Sequence, residues 1–410
     1  MNYVIIGNSI AAVGTVEGIR KADKTGSITV VGDEKHHVYS RPLISYLLEG
    51  KTDEEKMKYR PDSFYEDNGV RLITGVRAEK IDPGKKTVEL ENGKALPYDK
   101  LMVAAGSRPF VIPFDGLDTV KDKFTFMTLD DAKALAAALN PEKRVLIIGA
   151  GLIGLKCAEG IHSRCASITV ADLAPRILSS VLDDEAADMV RKHMEQKGVK
   201  FILGHSAKSF CENPAVMDDG SQVDFDVLVI AMGVRPNTEL VSQAGGKVER
   251  GIITDENQMT TIPDIYAAGD CVVTHDVSFD GDRILAILPN AYRQGEAAGL
   301  SMAGRPSEFA DAIPMNAGGF MGLHITTAGT YTGDVYTDRQ SGSLKKLFYK
   351  DGLLRGFIMV GNVSKAGIYA SLIRNRTPLD TVDFELICKE PCLMAFSRKF
   401  RDEKLGGIKA

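Results

Sequence analysis

No stretch of this sequence approaches the roughly 20 continuous apolar residues that a membrane-spanning helix needs, so no span is expected. Positive charge is not in surplus either. The 50 Lys and Arg are outnumbered by 55 Asp and Glu, for a net charge of −5. That balance argues against a nucleic-acid partner, because neutralising phosphates takes an excess of basic residues. Cysteines are few and scattered: Cys157, Cys165, Cys211, Cys271, Cys388 and Cys392 form no short disulfide framework. The opening residues lack the basic start, long apolar run and small-residue cleavage site of a signal peptide. These absences together point to the reducing cytoplasm. What is present is a globular composition, 44% hydrophobic and 26% charged. At 410 residues the chain is long for one core and fits two or three domains.

The chain opens as strand, glycine turn and helix: Tyr3-Val4-Ile5-Ile6, Gly7, then small residues through Arg20. A second strand, Ser27 to Val31, ends in Gly32-Asp33-Glu34. The pattern recurs as Arg144 to Ile148, a turn over Gly149 to Gly154, a helix from Leu155, and a strand Ser167 to Ala171 closing on Asp172. This long-spaced repeat suggests two βαβ nucleotide-binding units rather than a solenoid. Apolar runs such as Leu101 to Ala105 and Val227 to Ala231 fit parallel sheets buried on both faces. Pro- and Gly-rich segments at Arg108 to Gly116 and Gly233 to Asn237 read as domain crossings. From about Ile313 the texture changes to alternating strands, followed by a helix over about Ala366 to Arg374.

The glycine fingerprint needs a tight turn, a close backbone approach to pyrophosphate and a helix N-terminus aimed at the negative charge. The first copy is degenerate: Gly7-Asn8-Ser9-Ile10-Ala11-Ala12, with Ser9 at the second glycine's place. On its own it also fits an ordinary strand–turn–helix corner. Asp33 and Glu34 stand where a carboxylate would meet a ribose hydroxyl, Asp33 being nearer the strand end. The second copy, Gly149-Ala150-Gly151-Leu152-Ile153-Gly154, is complete and sits between strand and helix as the motif requires. Asp172 would accept from the adenosine ribose and repel a 2′-phosphate, which favours NADH over NADPH.

With these two sites, the late Tyr266-Ala267-Ala268-Gly269-Asp270 and the turn Ala105-Gly106-Ser107-Arg108-Pro109, the chain resembles the FAD-dependent pyridine nucleotide-disulfide oxidoreductase superfamily. Within it, the chain is similar to the rubredoxin- and ferredoxin-reductase branch and the flavin module of NADH-dependent nitrite reductases. The likeness runs to about residue 380. It implies two Rossmann-like domains in a glutathione reductase-like arrangement, followed by a C-terminal α+β domain. The expected boundaries are 1–112 with 234–310 for the split FAD-binding domain, 113–233 for the inserted NAD(P)H-binding domain and 311–410 for the third. It assigns Gly7, Ser9, Ile10, Ala11, Ala12, Asp33, Glu34, Arg41, Pro42, Ala78, Ala105, Gly106, Ser107, Gly269, Asp270 and Asn290 to FAD. To NAD it assigns Gly149, Gly151, Leu152, Ile153, Gly154, Asp172 and Gly233. Asp270 would bond the ribityl chain, and the helix near Asn290 would aim its positive end at the flavin pyrimidine.

The segment Val38-Tyr39-Ser40-Arg41-Pro42-Leu43-Ile44-Ser45-Tyr46 bears on the subclass. Disulfide reductases of the family carry a redox cysteine here, and this chain has none before Cys157. The segment is similar to that of the branch passing electrons to a separate carrier. That branch pairs a lysine and a glutamate beside flavin N5, where this chain has Tyr46 and Lys156. Lys156 either supplies the positive charge from the opposite side or packs its stem with its head in water.

The resemblance thus implies an FAD-dependent NADH oxidoreductase passing electrons to rubredoxin, ferredoxin or an iron–sulfur subunit. The alternatives are an NADH oxidase or other reductase without an active-site cysteine and, from another class, an FAD-binding redox sensor. Cys388 and Cys392 read as packed thiols rather than a redox dithiol or cluster ligands. His36-His37 lacks partners at metal spacing, so no metal site is expected. Arg374, Arg376, Arg398, Lys399 and Arg401 read as scattered surface charge, with the steering of an acidic carrier as the alternative.

Overall fold

The computed structural model describes residues 1–397 and Arg401, and divides them into two compact units. Unit 1 comprises Met1–Pro175, Gly198–Thr274 and Asp282–Ala310; unit 2 comprises Arg176–Lys197, His275–Gly281 and the chain from Asp311.

Unit 1 opens with β1 (Asn2–Ile6), α1 (Ile10–Ala22) and β2 (Ser27–Gly32). The apolar run of β1 is buried on both faces, and β1 and β2 pair in parallel from Asn2↔Ser27 to Ile6↔Val31. The chain continues through α2 (Ile44–Glu49), β3 (Val70–Thr74) and β4 (Lys100–Val103). A second parallel sheet repeats the design with β5 (Arg144–Ile148), α3 (Leu152–Ile161) and β6 (Ser167–Asp172). After α4 (Asp184–Gln196) come β7 (Val199–Leu203) and β8 (Val227–Ile230). Its order is β7-β6-β5-β8, with the short strand Lys123–Phe124 at the edge. Ser107–Pro109 and Val234–Pro236, on the two segments read as crossings, pair antiparallel.

The chain then returns to the first sheet with β9 (Ile265–Ala267) and α5 (Leu288–Met302), completing the order β9-β4-β1-β2-β3. α5 lies against α1 with their backbones in near contact. A Cβ at Gly295 would stand 2.0 Å from Ala11 O, and one at Gly14 would stand 2.2 Å from Tyr292 O. Only hydrogen fits between the helices at these two points.

Unit 2 holds an antiparallel sheet of β10 (Met315–Phe320), β11 (Leu323–Gly329), β12 (Asp334–Gln340), β13 (Ser343–Lys350) and β14 (Leu353–Val360). Its order is β10-β11-β14-β13-β12. The helix α6 (Ala366–Arg374) packs on it through Tyr369, whose ring lies 5.6 Å from that of Phe357. Cys388 is buried in this core, and burial pushes its thiol up to about 11. α4 also belongs to unit 2. Lys346 on β13 reaches Asp183 at 2.6 Å and Glu185 at 2.7 Å, and Arg339 on β12 holds Glu185 with two nitrogens at 2.5 and 2.9 Å. Arg374 and Arg376 pair with Asp311 and Asp280, and Arg401 reaches the Met394 sulfur. Arg398 and Lys399 lie outside the described residues. Among the described residues, no helix is long and apolar enough to cross a membrane.

Candidate functional site

Both glycine fingerprints adopt one backbone geometry. Gly7 and Gly149 have φ of 104° and 116°, and each N–H donates to the end of the next strand: Gly7 to Val31 O at 2.7 Å and Gly149 to Ala171 O at 2.8 Å. A Cβ on Gly149 would meet Ala231 O at 2.2 Å, so the turn admits only glycine; the equivalent contact at Gly7 is Ala104 O at 2.1 Å. Each turn delivers the chain into a helix whose first turn carries no acidic residue, leaving the positive dipole end uncompensated. Ser9 is the N-cap of α1, and Ile10, Ala11 and Ala12 form its first buried turn. Gly151 is the N-cap of α3, and Leu152 and Ile153 open that helix. Around Gly151 a Cβ would find nothing within 4 Å, which is the room a pyrophosphate approach requires. Gly154 is closed instead, with Gly149 O at 1.9 Å from its would-be Cβ, and serves close turn–helix packing.

At the carboxyl end of the first sheet lies a cavity of about 410 Å³, at the foot of the usual range for small-molecule sites. Gly7, Asp33, Ala78 and Ala105 line it, joined by Arg77, Glu79, Asn237 and Glu239, which sequence reasoning did not single out. Its position beside β1, where the strand order reverses, is where open α/β sheets take ligands. Glu34, adjacent to Asp33, is engaged elsewhere: its carboxylate ion-pairs with Arg41 and accepts from Tyr39 Oη at 2.6 Å. Tyr39 Oη in turn accepts from Leu129 N at 2.9 Å. Arg41 and Pro42 form a short 3₁₀ turn that leads straight into α2.

Further along the same unit, Asp270 follows Gly269, which has φ 87°. Burial raises the Asp270 carboxyl, opposed by Ser107 and by the charge of Arg41. Ser107 Oγ donates to Asp270 Oδ2 at 3.2 Å and so takes one of the carboxylate's roughly four acceptor positions. A recessed acceptor with capacity to spare suits a ligand hydroxyl. Gly106 precedes Ser107 with φ 62°, and Asn290 is buried in the first turn of α5. The Gly269 N–H donates to Gln294 Oε1 of α5 at 2.9 Å, a contact invisible in sequence.

In the second cradle, Asp172 braces the fingerprint itself. Its Oδ2 accepts from Ala150 N at 2.6 Å and its Oδ1 from Ala174 N at 2.8 Å, with further acceptor positions remaining. Gly233, φ 101°, follows β8 with open space around its Cα. Arg176 is committed to Asp184 at 3.0 Å. Lys156 and Tyr46, from different elements, are brought together: the ammonium lies 4.4 Å from the Tyr46 ring centroid and ion-pairs with Glu159. Glu159 was missed in the sequence, where it reads as one more helix charge.

These residues fit two dinucleotides, and known proteins share the arrangement. An NADH-dependent phenylglyoxylate dehydrogenase subunit epsilon from Aromatoleum evansii is 32% identical over 92% of each chain. An assimilatory nitrate reductase electron transfer subunit from Bacillus subtilis is 31% identical over 91% of this chain, which spans about half (49%) of that relative. The crystal structure of a covalent putidaredoxin reductase–putidaredoxin complex superposes with a TM-score of 0.87 at 25% identity, over 95% of this chain and 96% of that one. The pyridine nucleotide-disulphide oxidoreductase pattern matches residues 1–295. With two cradles in one compact unit, the family pattern over residues 1–295 and a relative matched over 92% of each chain, the chain belongs to the pyridine nucleotide-disulphide oxidoreductase family.

Proposed function

We propose that this chain is an FAD-dependent NADH oxidoreductase that hands electrons to a small redox protein of the rubredoxin or ferredoxin type, or to an iron–sulfur subunit. The observation that carries the reading is the duplicated cradle: two glycine turns of the same geometry, each opening a helix, in one unit. FAD, when bound, supplies the chemistry, accepting a hydride from NADH and releasing electrons onward. The protein's share is binding and orientation. The α1 N-terminus would face the FAD pyrophosphate, Asp33 would accept from its ribose and Asp270 from its ribityl chain. The α3 N-terminus and Asp172 would do the same work for NADH, and a carboxylate at that place would disfavour a 2′-phosphate.

The division into an FAD-binding domain (1–112 and 234–310), an NAD-binding domain (113–233) and a third domain (311–410) belongs to this reading. The membership of the three large sheets supports it. The absence of any cysteine before Cys157 supports one-electron delivery to a carrier over a disulfide mechanism. The reading implies the cytoplasm, in keeping with six cysteines that are all unpaired.

The test is anaerobic titration of the yellow protein with NADH, followed by a panel of acceptors. Bleaching of the flavin and its reoxidation by rubredoxin or ferredoxin support the reading. Reoxidation by oxygen alone, with the carrier proteins inert, replaces it with an oxidase.

A further inference from the structure

One buried charge in unit 1 belongs to neither cradle. Glu159, in the last turns of α3, is only 6% exposed. Three residues earlier on the same helix, Lys156 ion-pairs with it and rests its ammonium on the Tyr46 ring. Tyr46 belongs to α2, which runs on from Arg41-Pro42. The two helices are pressed together there, since a Cβ at Gly160 would stand 2.8 Å from Ser45 O. So the helix that opens on the second fingerprint meets, at this cluster, the segment that follows Arg41 of the first site.

Stability does not account for the pair. Withdrawing two ions from water is costly, and apolar side chains of similar volume do as well or better. The face of Tyr46 attracts an ammonium without help from a carboxylate. What the ring does not provide is a fixed place, because a lysine has enough rotamers to leave an aromatic face for water. A buried carboxylate one turn away removes that freedom.

We propose that Glu159 is a positioning residue, holding the Lys156 ammonium against Tyr46 at the junction of the two dinucleotide sites, where it stabilises the charge that hydride transfer places on the flavin. This rests on the function proposed above. In that transfer the C4–H bond of the reduced nicotinamide breaks and two electrons with one hydrogen pass to the flavin, leaving NAD⁺ and an anionic reduced flavin. Lys156 and Glu159 keep their charges throughout and give up no proton. The ammonium acts as a preorganised electrostatic partner.

The proposal has a sign that a purely through-space effect lacks. Removing the negative charge of Glu159 ought by simple electrostatics to make an anionic product easier to form, and so to speed flavin reduction. If Glu159 acts by holding Lys156, its loss slows the step instead. The experiment uses the holoenzyme, mixed rapidly with NADH over a range of concentrations, together with the flavin midpoint potential by dye equilibration. Glu159→Gln and Lys156→Met are each expected to lower the limiting rate of flavin reduction by about tenfold or more, with the NADH dissociation constant held to within about twofold. Lys156→Met lowers the midpoint potential as well. The double variant Lys156→Met/Glu159→Leu is no slower than Lys156→Met alone, because the two residues act as one unit, and Glu159→Asp restores part of the rate. A Glu159→Gln protein with an unchanged or faster limiting rate, and only a lowered Tm, overturns the proposal. Should that variant not fold, the double variant removes both members of the ion pair together, and a wild-type rate in it overturns the proposal equally. A wild-type protein that stays colourless with excess FAD refutes the underlying function, and that outcome is visible before any variant is made.

Discussion

Replacing Gly295 with alanine tests whether the contact between α1 and α5 sets the position of the first cradle. The new Cβ would lie 2.0 Å from Ala11 O, 2.9 Å from Ala11 C and 3.1 Å from Ala11 Cα. A carbon–oxygen contact settles near 3.3 Å, so the helices must part by roughly 1.3 Å. All three obstructing atoms are backbone, and no rotamer change relieves them. Overpacking of this kind costs about 1–3 kcal/mol. At about 2.1 cal/mol/K of unfolding entropy per residue, each kcal/mol lowers the Tm of a fold this large by about 1–2 °C, giving an expected loss of roughly 1–6 °C. Ala11 lies in the first turn of α1, within the fingerprint, so the separation also moves the helix end proposed to face the pyrophosphate. Flavin content should fall together with Tm, read as the ratio of flavin to protein absorbance and by differential scanning fluorimetry. Gly151→Ala is the control. Its φ is −82°, which alanine adopts freely, and nothing lies within 4 Å of the added carbon. That variant should melt within about 1 °C of wild type while its NADH dissociation constant rises by about tenfold, since the methyl occupies the pyrophosphate approach. A Gly295→Ala protein with wild-type Tm and full flavin would refute the reasoning.

Asp270→Asn should divide the two states of the protein. Burial raises the carboxyl in the folded state, so the charged form is disfavoured there, and that loss of stability grows as pH rises from the unfolded value through the folded one. Stripped of FAD, the variant should melt higher than wild type at neutral pH; loaded, it should hold FAD less tightly. Asp172→Ala should raise the KM for NADH by about tenfold and narrow the preference over NADPH, measured by steady-state kinetics with both nucleotides. It also removes the acceptor for Ala150 N and Ala174 N, so the KM effect should come with a small drop in Tm. Glu185 is held down from 4.5 to about 2 by hydrogen bonds from Arg339 and Lys346. A depressed folded value contributes stability that is present above about pH 4.5 and lost as pH falls toward 2. The Tm difference between wild type and Glu185→Gln should therefore shrink over that window, and a difference that is constant with pH counts against the pairing.

Much of this architecture was legible because the glycine turn is a local device. Gly149, Gly151 and Gly154 stand at fixed spacing between a strand and a helix, so a hexapeptide reports them directly even though the contact that closes Gly149, with Ala231 O, is long-range. The same holds in unit 2, where Lys346-Leu347-Phe348-Tyr349 lies within β13 and the helix read over Ala366 to Arg374 forms over those residues. Contacts closed over long loops left no such trace. Gln294 and Gly295 meet the first cradle only after the chain has built the entire second sheet, and neither residue type carries a local signal. Between Asp33 and Glu34 the sequence favoured Asp33 only as the nearer to the strand end. In the structure Tyr39 and Arg41 engage Glu34, in keeping with that preference, and a carboxylate followed at five and seven residues by a hydroxyl and a guanidinium was a signal that could have been read. α4 is the opposite case. It connects β6 to β7 of the second sheet, yet its N-terminal acids answer to Lys346 and Arg339, more than 150 residues later in the sequence.

The different legibility of cradle and cluster has a physical basis. Binding a pyrophosphate is done by peptide N–H groups, which every residue carries, and so the demand falls on backbone conformation and is met by glycine at fixed spacing. Placing charge beside a reacting ring is done by side chains, and any element that reaches the spot can supply one. A lysine on one helix and a glutamate on another can therefore be exchanged for a lysine and glutamate on the same helix, with a tyrosine filling the vacated place, without altering the fold. Lys156 and Tyr46 stood out only as departures from a pattern. Glu159 became legible only when its burial showed that a charged residue three places along α3 was facing inward. The glycine motifs are thus read from backbone demands alone, whereas the proposed role of Glu159 rests on an inward-facing charge with an inward-facing partner.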